Sequence, residues 1–455
     1  MGFDTLAKIR APLSRFHRDE SGSVSAFGLV MFVGFAAVGA IGLDVSSVYA
    51  ARTHLQIAAD QAAHAALYNR SNMDPVSSKQ LAIDLVNKTL PTEKYGKALR
   101  IENIKFGSYD SASGSFTVDD DSTTAVRVRT SFLSENQNPV ATYLFKLVGY
   151  SSFDVSTDAI YTTYRPGCLR EGFIAQGMVD IQSNNSFTQG FCIHSNTLVS
   201  LNSNNTFEAG TIVSMPDLDA LDLPKSGFET NEGLEAALRA ATMNIRILSR
   251  IDNMIYRYEN PEATDYPADT EELPDYITNP TVISSRVRTI TTAEIYALES
   301  DTGRGRVHKI DCQAGNTLTI DATEPLREVV VISPCEIKFT AGSVLEDSRV
   351  ISKSTSADSI NAPAGLRVGR NDNCGDGGGA QLITVGGMRF PADLQIYGSQ
   401  LMAKGDIYFA ANADGVQGAS LIAGGEISGT SNMNMGLCLG GMEDNIEIDY
   451  FRLAY

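Results

Sequence analysis

Residues 179–190, VDIQSNNSFTQG, return twenty positions later as VSLNSNNTFEAG (199–210). The same shift relates LMAKGDIYFAANADG, beginning at Leu401, to LIAGGEISGTSNMNMG, beginning at Leu421. The early and late pairs share a frame. Ile174-Ala175-x-Gly177-x-Val179 matches Met402-Ala403-x-Gly405-x-Ile407 and Ile422-Ala423-x-Gly425-x-Ile427. A repeat this short, with β-branched residues held in phase and no helical period, predicts a parallel β-helix whose turns of about 20 residues stack roughly 4.8 Å apart. Ile407 would then lie over Ile427 and Val179 near Val199. The Asn184-Asn185 and Asn204-Asn205 pairs would form side-chain ladders at a corner.

Working outward, residues 166–213 read as the start of this solenoid and 304–440 as its continuation. Residues 214–303 read as a helical and loop insertion. Within it NEGLEAALRAATMNIRILSRIDNMIYRYEN places Leu238, Ala241, Ile245, Leu248, Ile251, Ile255 and Tyr258 three or four apart, a stripe expected to pack on the solenoid flank. Residues 441–455 predict a closing strand or cap. Upstream, residues 71–165 predict a small α+β domain. SSKQLAIDLVNKTL (77–90) is an amphipathic helix ended by Pro91. IENIKFGSYD, GSFTVDD, TAVRVRTSF and SFDVSTDAIYTTY alternate as half-buried strands do, and NPVATYLFKLVG reads as a second helix. The Asp119-Asp120-Asp121 run between two strands is read as a solvated turn rather than a Ca²⁺ site.

The N-terminal end is of another kind. Between Glu20 and Asp44 no side chain is charged, and the run 21–43, SGSVSAFGLVMFVGFAAVGAIGL, is long enough to cross a bilayer as a helix. Lys8, Arg10, Arg15 and Arg18 precede it, and only Arg52 lies close behind. By the positive-inside rule residues 1–20 form a cytoplasmic arm and everything from Asp44 onward is exported. The Ala-rich stretch 44–70 carries Val45, Val48, Leu55, Ala59, Ala62 and Ala66 on one stripe. One helix from about Ser23 to Tyr68, on the order of 70 Å long, is therefore expected, half in lipid and half outside. Gly34, Ala36, Gly39, Ala40 and Gly42 would let another transmembrane helix pack closely.

The segment RDESGSVSAFGLVMFVGFAAVGAIGLDVSSVYAARTHLQIAADQAAHAAL resembles the N-terminal part of the TadE/TadG-like proteins of the tight-adherence (Flp) pilus assembly system. The resemblance is carried by the charges before Gly22, the apolar run, Asp44, Tyr49, Gln56 and the Ala-Ala-Asp60 stretch. It implies a single-pass inner-membrane protein with its bulk periplasmic or at the cell surface. Other Tad/Flp assembly proteins or pilin are the implied partners, and a homo-oligomer through the long helix is left open. Two departures stand out. Pseudopilins of the system carry Glu five residues after the Gly that precedes cleavage, where this chain has Phe27. The DxSxS motif of von Willebrand A domains, found in some larger relatives, does not occur, so that domain and its Mg²⁺ are not carried over.

All six cysteines lie beyond the apolar run, which in an exported region predicts disulfides; spacing suggests Cys168–Cys192, Cys312–Cys335 and Cys374–Cys438 among the pairings that six cysteines allow. Net charge is −18, which opposes nucleic acid and anionic lipid headgroups as partners of the exported part. No GxSxG, HExxH or phosphate loop occurs, and NDNCGDGGGA with Asp372 and Asp376 reads as a wide turn. The sharpest enzyme-like feature is Asp406 and Glu426, which a 20-residue period stacks on one face. The expectation is a long transmembrane, pilin-like helix, a small α+β domain and a parallel β-helix with a helical insertion. The resemblance implies a role in pilus biogenesis, with the head contributing to assembly or adhesion; a non-enzymatic protein with no cofactor and no metal is expected. A membrane-tethered carbohydrate-binding or carbohydrate-cleaving β-helix is the alternative.

Overall fold

Nothing between Ser23 and Arg70 breaks a helix, and the computed structural model has one there: α1 (Ser23–Arg70), 48 residues long. The structure describes residues 23–70, 73–263, 273–298, 303–313, 315–429, 431–438 and 440–454. The expected cytoplasmic arm, 1–20, lies outside them. The chain divides into two compact units, residues 1–164 with 451–455, and residues 165–450.

In the first unit the alanine stripe does what its spacing requires. Leu55, Ala59, Ala62 and Ala66 are fully buried together with Ala58, Ala63 and Leu67. Their small side chains bring the α1 backbone close to a sheet, close enough for Thr130 Oγ1 to donate to the Leu55 carbonyl at 2.8 Å. Gln56 Nε2 similarly donates to the Asp158 carbonyl at 3.2 Å. Helix α2 (Pro75–Thr89) starts where Asp74 accepts the N–H groups of Val76 and Ser77, with proline at its first position. The sheet is antiparallel, with β1 (Ile104–Asp110), β2 (Ser115–Val118), β3 (Ala125–Phe132) and β4 (Val155–Tyr164) in the order β2-β1-β3-β4. Ile104, Phe106, Val126 and Val128 turn inward onto α1 and Val86.

Two expectations fail in this unit. Residues 139–150 are not a helix: Val140–Ala141 pairs with Ser152–Phe153, and one 3-10 turn, Phe145–Val148, follows. The tail does not cap a solenoid; Tyr450–Leu453 is the edge strand beside β4, and Ala454 N–H donates to the Ile160 carbonyl at 2.7 Å.

The second unit is a large parallel sheet whose strands fall into three ladders. In the first, Val329–Ser333 lies between Arg306–Cys312 and Ser348–Ser352, and the series continues through Ala380–Thr384 to 400–403 and 420–423. In the second, Val179–Ile181 lies between Val199–Leu201 and Ile427–Gly429. In the third, Ser186–Phe187 lies between Asn205–Phe207 and Asn434–Gly436. The repeat sets the register: Val199 faces Val179, Phe207 faces Phe187, Leu421 faces Leu401 and Ile427 faces Ile407. Inward residues of all three ladders, among them Phe173, Val179, Phe187, Val331 and Ile407, make one apolar cluster.

The order of the strands departs from chain order. Residues 420–423 pair with Gly172–Ala175, so Ile422 and Ala423 sit directly beside Ile174 and Ala175, the residues whose sequence frame they share. The late segment thus leads into the early one. Leu238–Ala240 pairs on one side with Ile212–Met215, and Val282–Val287 pairs on one side with Arg306–Cys312. These two strands lie at opposite ends of the first ladder, ten steps apart, or about 48 Å at the usual strand spacing.

Reading 214–303 as a self-contained insertion is therefore corrected. Asn231–Glu232, Leu238–Ala240, Val282–Val287 and Thr289–Thr291 all belong to the ladders. The long predicted helix is also shorter, α3 (Arg246–Glu259), because Leu238–Ala240 is taken up as a strand. Its Ile247, Ile251, Met254, Ile255 and Tyr258 bury against Val330, Ile332, Ile351, Ile383 and Met402, the outward residues of the first ladder. Covered on both faces, these strands read as unbroken apolar runs such as VVVIS.

Candidate membrane anchor

The two halves of α1 meet different surroundings. From Leu55 onward one face is buried, but from Val24 to Leu43 the large apolar side chains Phe27, Leu29, Val30, Phe32, Phe35, Val38 and Ile41 are all exposed. Soluble monomers rarely expose a continuous apolar surface of this extent. The 21 residues from Ser23 to Leu43 rise about 31 Å, the thickness of a bilayer core. This is a helix long and apolar enough to cross a membrane. Of the small residues singled out for helix packing, Gly34 and Gly42 face open space and Ala36 is half-buried. A Cβ at Gly39 would meet Leu144 Cδ1 at 3.9 Å. The side chain of Ala40 lies outside the described residues.

Asp44 ends the apolar run, and its role is visible only in three dimensions. It is 1% exposed, and its carboxylate accepts the N–H groups of Tyr143, Leu144 and Phe145 at 2.6, 2.9 and 2.6 Å. Those three donors open the turn Phe145–Val148, whose free N–H groups and dipole favour an anion. Burial pushes the Asp44 carboxyl up, but the three N–H groups and the nearby Lys146 charge outweigh it and hold its pKa below the ordinary value. An ionised Asp44 therefore pins residues 143–145 to α1. Of the helix expected over 139–150 only this one turn, Phe145–Val148, forms. Thr142 Oγ1, donating to the Tyr150 carbonyl at 2.5 Å, closes the loop.

In the second unit the cysteines form the three bridges that spacing suggested, Cys168–Cys192, Cys312–Cys335 and Cys374–Cys438. Among the described residues Asp311, Cys312 and Cys335 are close enough to hold a metal, but those two cysteines bond each other, leaving no thiolate for one. Asp372 is held by Arg370 Nε at 2.6 Å and by Gly375 N–H at 2.9 Å, and Asp120 by Lys79 Nζ at 2.8 Å. One carboxylate in each acidic loop is thereby held by protein partners.

Asp406 and Glu426 are stacked as their spacing implied, with Asp406 Oδ1 accepting Glu426 N–H at 2.8 Å. Only glycine fits beside them: a Cβ on Gly425 would lie 1.9 Å from Asp406 Oδ1. Burial, then the charges of Asp180 and Asp406, push the Glu426 carboxyl up. Asp180 was not foreseen as a neighbour. Its position opposite Ser428 follows from the pairing of the early and late repeats, and the shared sequence frame was the one signal for it.

No curated protein and no solved structure matches this chain. Two families do. Residues 22–69, which contain the apolar run, Asp44 and the alanine stripe, match the TadE/G-like Flp pilus-assembly family, so the N-terminal region is a Tad-type domain. Residues 172–439, more than half of the chain and nearly all of the ladders, match the family described as a domain of unknown function, DUF7867, and to that family the chain belongs.

Proposed function

We propose that the protein is a membrane-anchored, non-enzymatic component of Flp pilus assembly. In this reading α1 crosses the inner membrane once with its N-terminus in the cytoplasm, and the second unit is an exported head. The observation that carries it is a coincidence of position: the Tad-type match falls on the helix whose first half is apolar and uncovered. The four basic residues ahead of the helix support the orientation. Three disulfides support an oxidising compartment for the head.

The head is read as a closed β-helical solenoid. Support comes from three ladders in one phase and from their inward residues sharing one apolar cluster. Such a stack is stiff, which suits a part that presents a surface for assembly or adhesion.

Deleting the gene should abolish pilus assembly or adhesion, and the intact gene should restore it. A deletion strain with normal pili and normal adhesion would refute the reading. A second reading, a carbohydrate-active head, is favoured by the cluster of Asp406, Glu426 and Asp180 with its upward-shifted carboxyl. The Asp406→Asn, Glu426→Gln double variant keeps shape and removes charge. Full complementation supports the structural role; a folded, inactive double variant moves the second reading ahead.

A further inference from the structure

We propose that the loop Tyr143–Tyr150 is a second membrane-contacting element, seated with Leu147, Tyr143 and Tyr150 in the interfacial layer of the leaflet where α1 emerges. It rests on the reading of α1 as a membrane span, and three observations within the first unit carry it.

Depth is the first. The Asp44 carboxylate fixes the start of the turn at the first residue after the charge-free run, and Leu144 Cδ1 lies 3.9 Å from the Cβ position of Gly39. Gly39 is five residues back along α1, about 7 Å toward the apolar end. The loop therefore reaches into the level of the run rather than away from it.

The second observation is the side chains. Leu147 is 77% exposed, the highest value among the exposed large apolar residues, and Tyr143 and Tyr150 are 57% and 63% exposed. Two tyrosines flanking a leucine, with exposed Lys146 beside it, have the composition of a membrane interface: amphipathic rings at headgroup level and an amine that can reach outward from an apolar stem.

Backbone accounting is the third. A segment leaving water must satisfy its own polar groups. The N–H groups of Tyr143, Leu144 and Phe145 are taken by Asp44. Those of Leu147, Gly149 and Tyr150 are taken by the carbonyls of Leu144, Lys146 and Phe145 at 3.0, 3.3 and 3.1 Å. Six of the eight N–H groups of residues 143–150 are thus satisfied within the protein.

The chain contains no tryptophan, so a single introduced one reports its own surroundings. The full chain is reconstituted into phosphatidylethanolamine/phosphatidylglycerol vesicles as Leu147→Trp, as Val33→Trp within the span, and as Val118→Trp on the exposed strand β2. Emission and quenching by acyl-brominated lipid are then compared. The expected result is blue-shifted emission and roughly twofold quenching for Leu147→Trp and Val33→Trp, with neither for Val118→Trp. Quenching of Val33→Trp without Leu147→Trp overturns the loop proposal and leaves the anchor standing. A blue-shifted but unquenched Leu147→Trp means cover by protein and also overturns it. Absence of quenching at Val33→Trp removes the anchor reading and the proposal with it.

Discussion

Replacing Asn205 by alanine should open a defect near one end of the third ladder. Asn205 is 1% exposed, and its side chain makes four hydrogen bonds. Its Oδ1 accepts Asn185 N–H and Asn185 Nδ2, both at 2.9 Å, and its Nδ2 donates to the carbonyl of Asn202 at 2.8 Å and to Asn231 Oδ1 at 3.1 Å. After truncation Asn185 Nδ2 retains the Gln182 carbonyl and Asn231 Oδ1 retains the Asn205 N–H. The Asn185 backbone N–H, in a residue 2% exposed, loses its acceptor. One orphaned buried donor costs about 1–3 kcal/mol and each lost bond elsewhere about 1, so the variant should lose about 3 kcal/mol, roughly 6 °C in melting temperature for a unit of this size. The control is Asn202→Ala, the same substitution three residues away on an exposed side chain, which should cost less than about 0.5 kcal/mol. Both are measured by thermal melts of the full chain in detergent, followed by far-ultraviolet circular dichroism with disulfides intact. If Asn205→Ala melts together with Asn202→Ala, the buried asparagine ladder contributes nothing and the accounting is wrong.

Three further outcomes are expected. His194 is buried between Ser214 Oγ at 2.7 Å and Asn196 Oδ1 at 3.1 Å, and burial holds its imidazole below the ordinary value of 6.5. Its contribution is therefore complete above that value and is lost as pH falls from it toward the folded-state pKa; His194→Gln should flatten the melting temperature between about pH 7 and pH 5. Glu426, pushed up from its ordinary 4.5 by burial and by Asp180 and Asp406, is strained when ionised. Glu426→Gln should raise the melting temperature at neutral pH, with the gain vanishing below pH 4.5, and a lower melting point at neutral pH would contradict this. Ile251, fully buried on the docked face of α3, should cost about 3 kcal/mol as alanine and speed proteolysis at the helix before global unfolding; a melt unchanged from the parent would show that α3 is not docked as described.

The features legible in the sequence were those fixed by local periodicity. The charge-free run and the alanine stripe gave α1, and a shift of twenty gave the register of Val179 on Val199 and Ile407 on Ile427. The period is lost where turns lengthen: Ser348 faces Ala380, 32 residues on, although Gln381 faces Gln400 after 19. Ladder order was hidden for a different reason. Similar frames at 174–179 and 422–427 indicate that two segments occupy equivalent positions, but periodicity has no direction, so an end-to-end join looks the same as an interruption. The Asp44 clamp was out of reach because it works across the chain. TYLFKLVG has a helix-like composition, yet within it only Phe145–Val148 takes up one 3-10 turn.

The join between 420–423 and Gly172–Ala175 has a consequence for biogenesis. A chain synthesised from its N-terminus delivers Gly172–Ala175 some 250 residues before the strand 420–423 that flanks it on the other side. Until then Gly172–Ala175 carries an open edge, with donors and acceptors that any passing strand can use. Contacts of such sequence separation close slowly, since loop entropy is lost before the pairing is gained. Completion of the fold is thus coupled to completion of the chain. A ribosome stalled before residue 420 would leave a sticky fragment behind, and the chaperones and proteases that meet such fragments would set the yield of this protein as much as its final stability does.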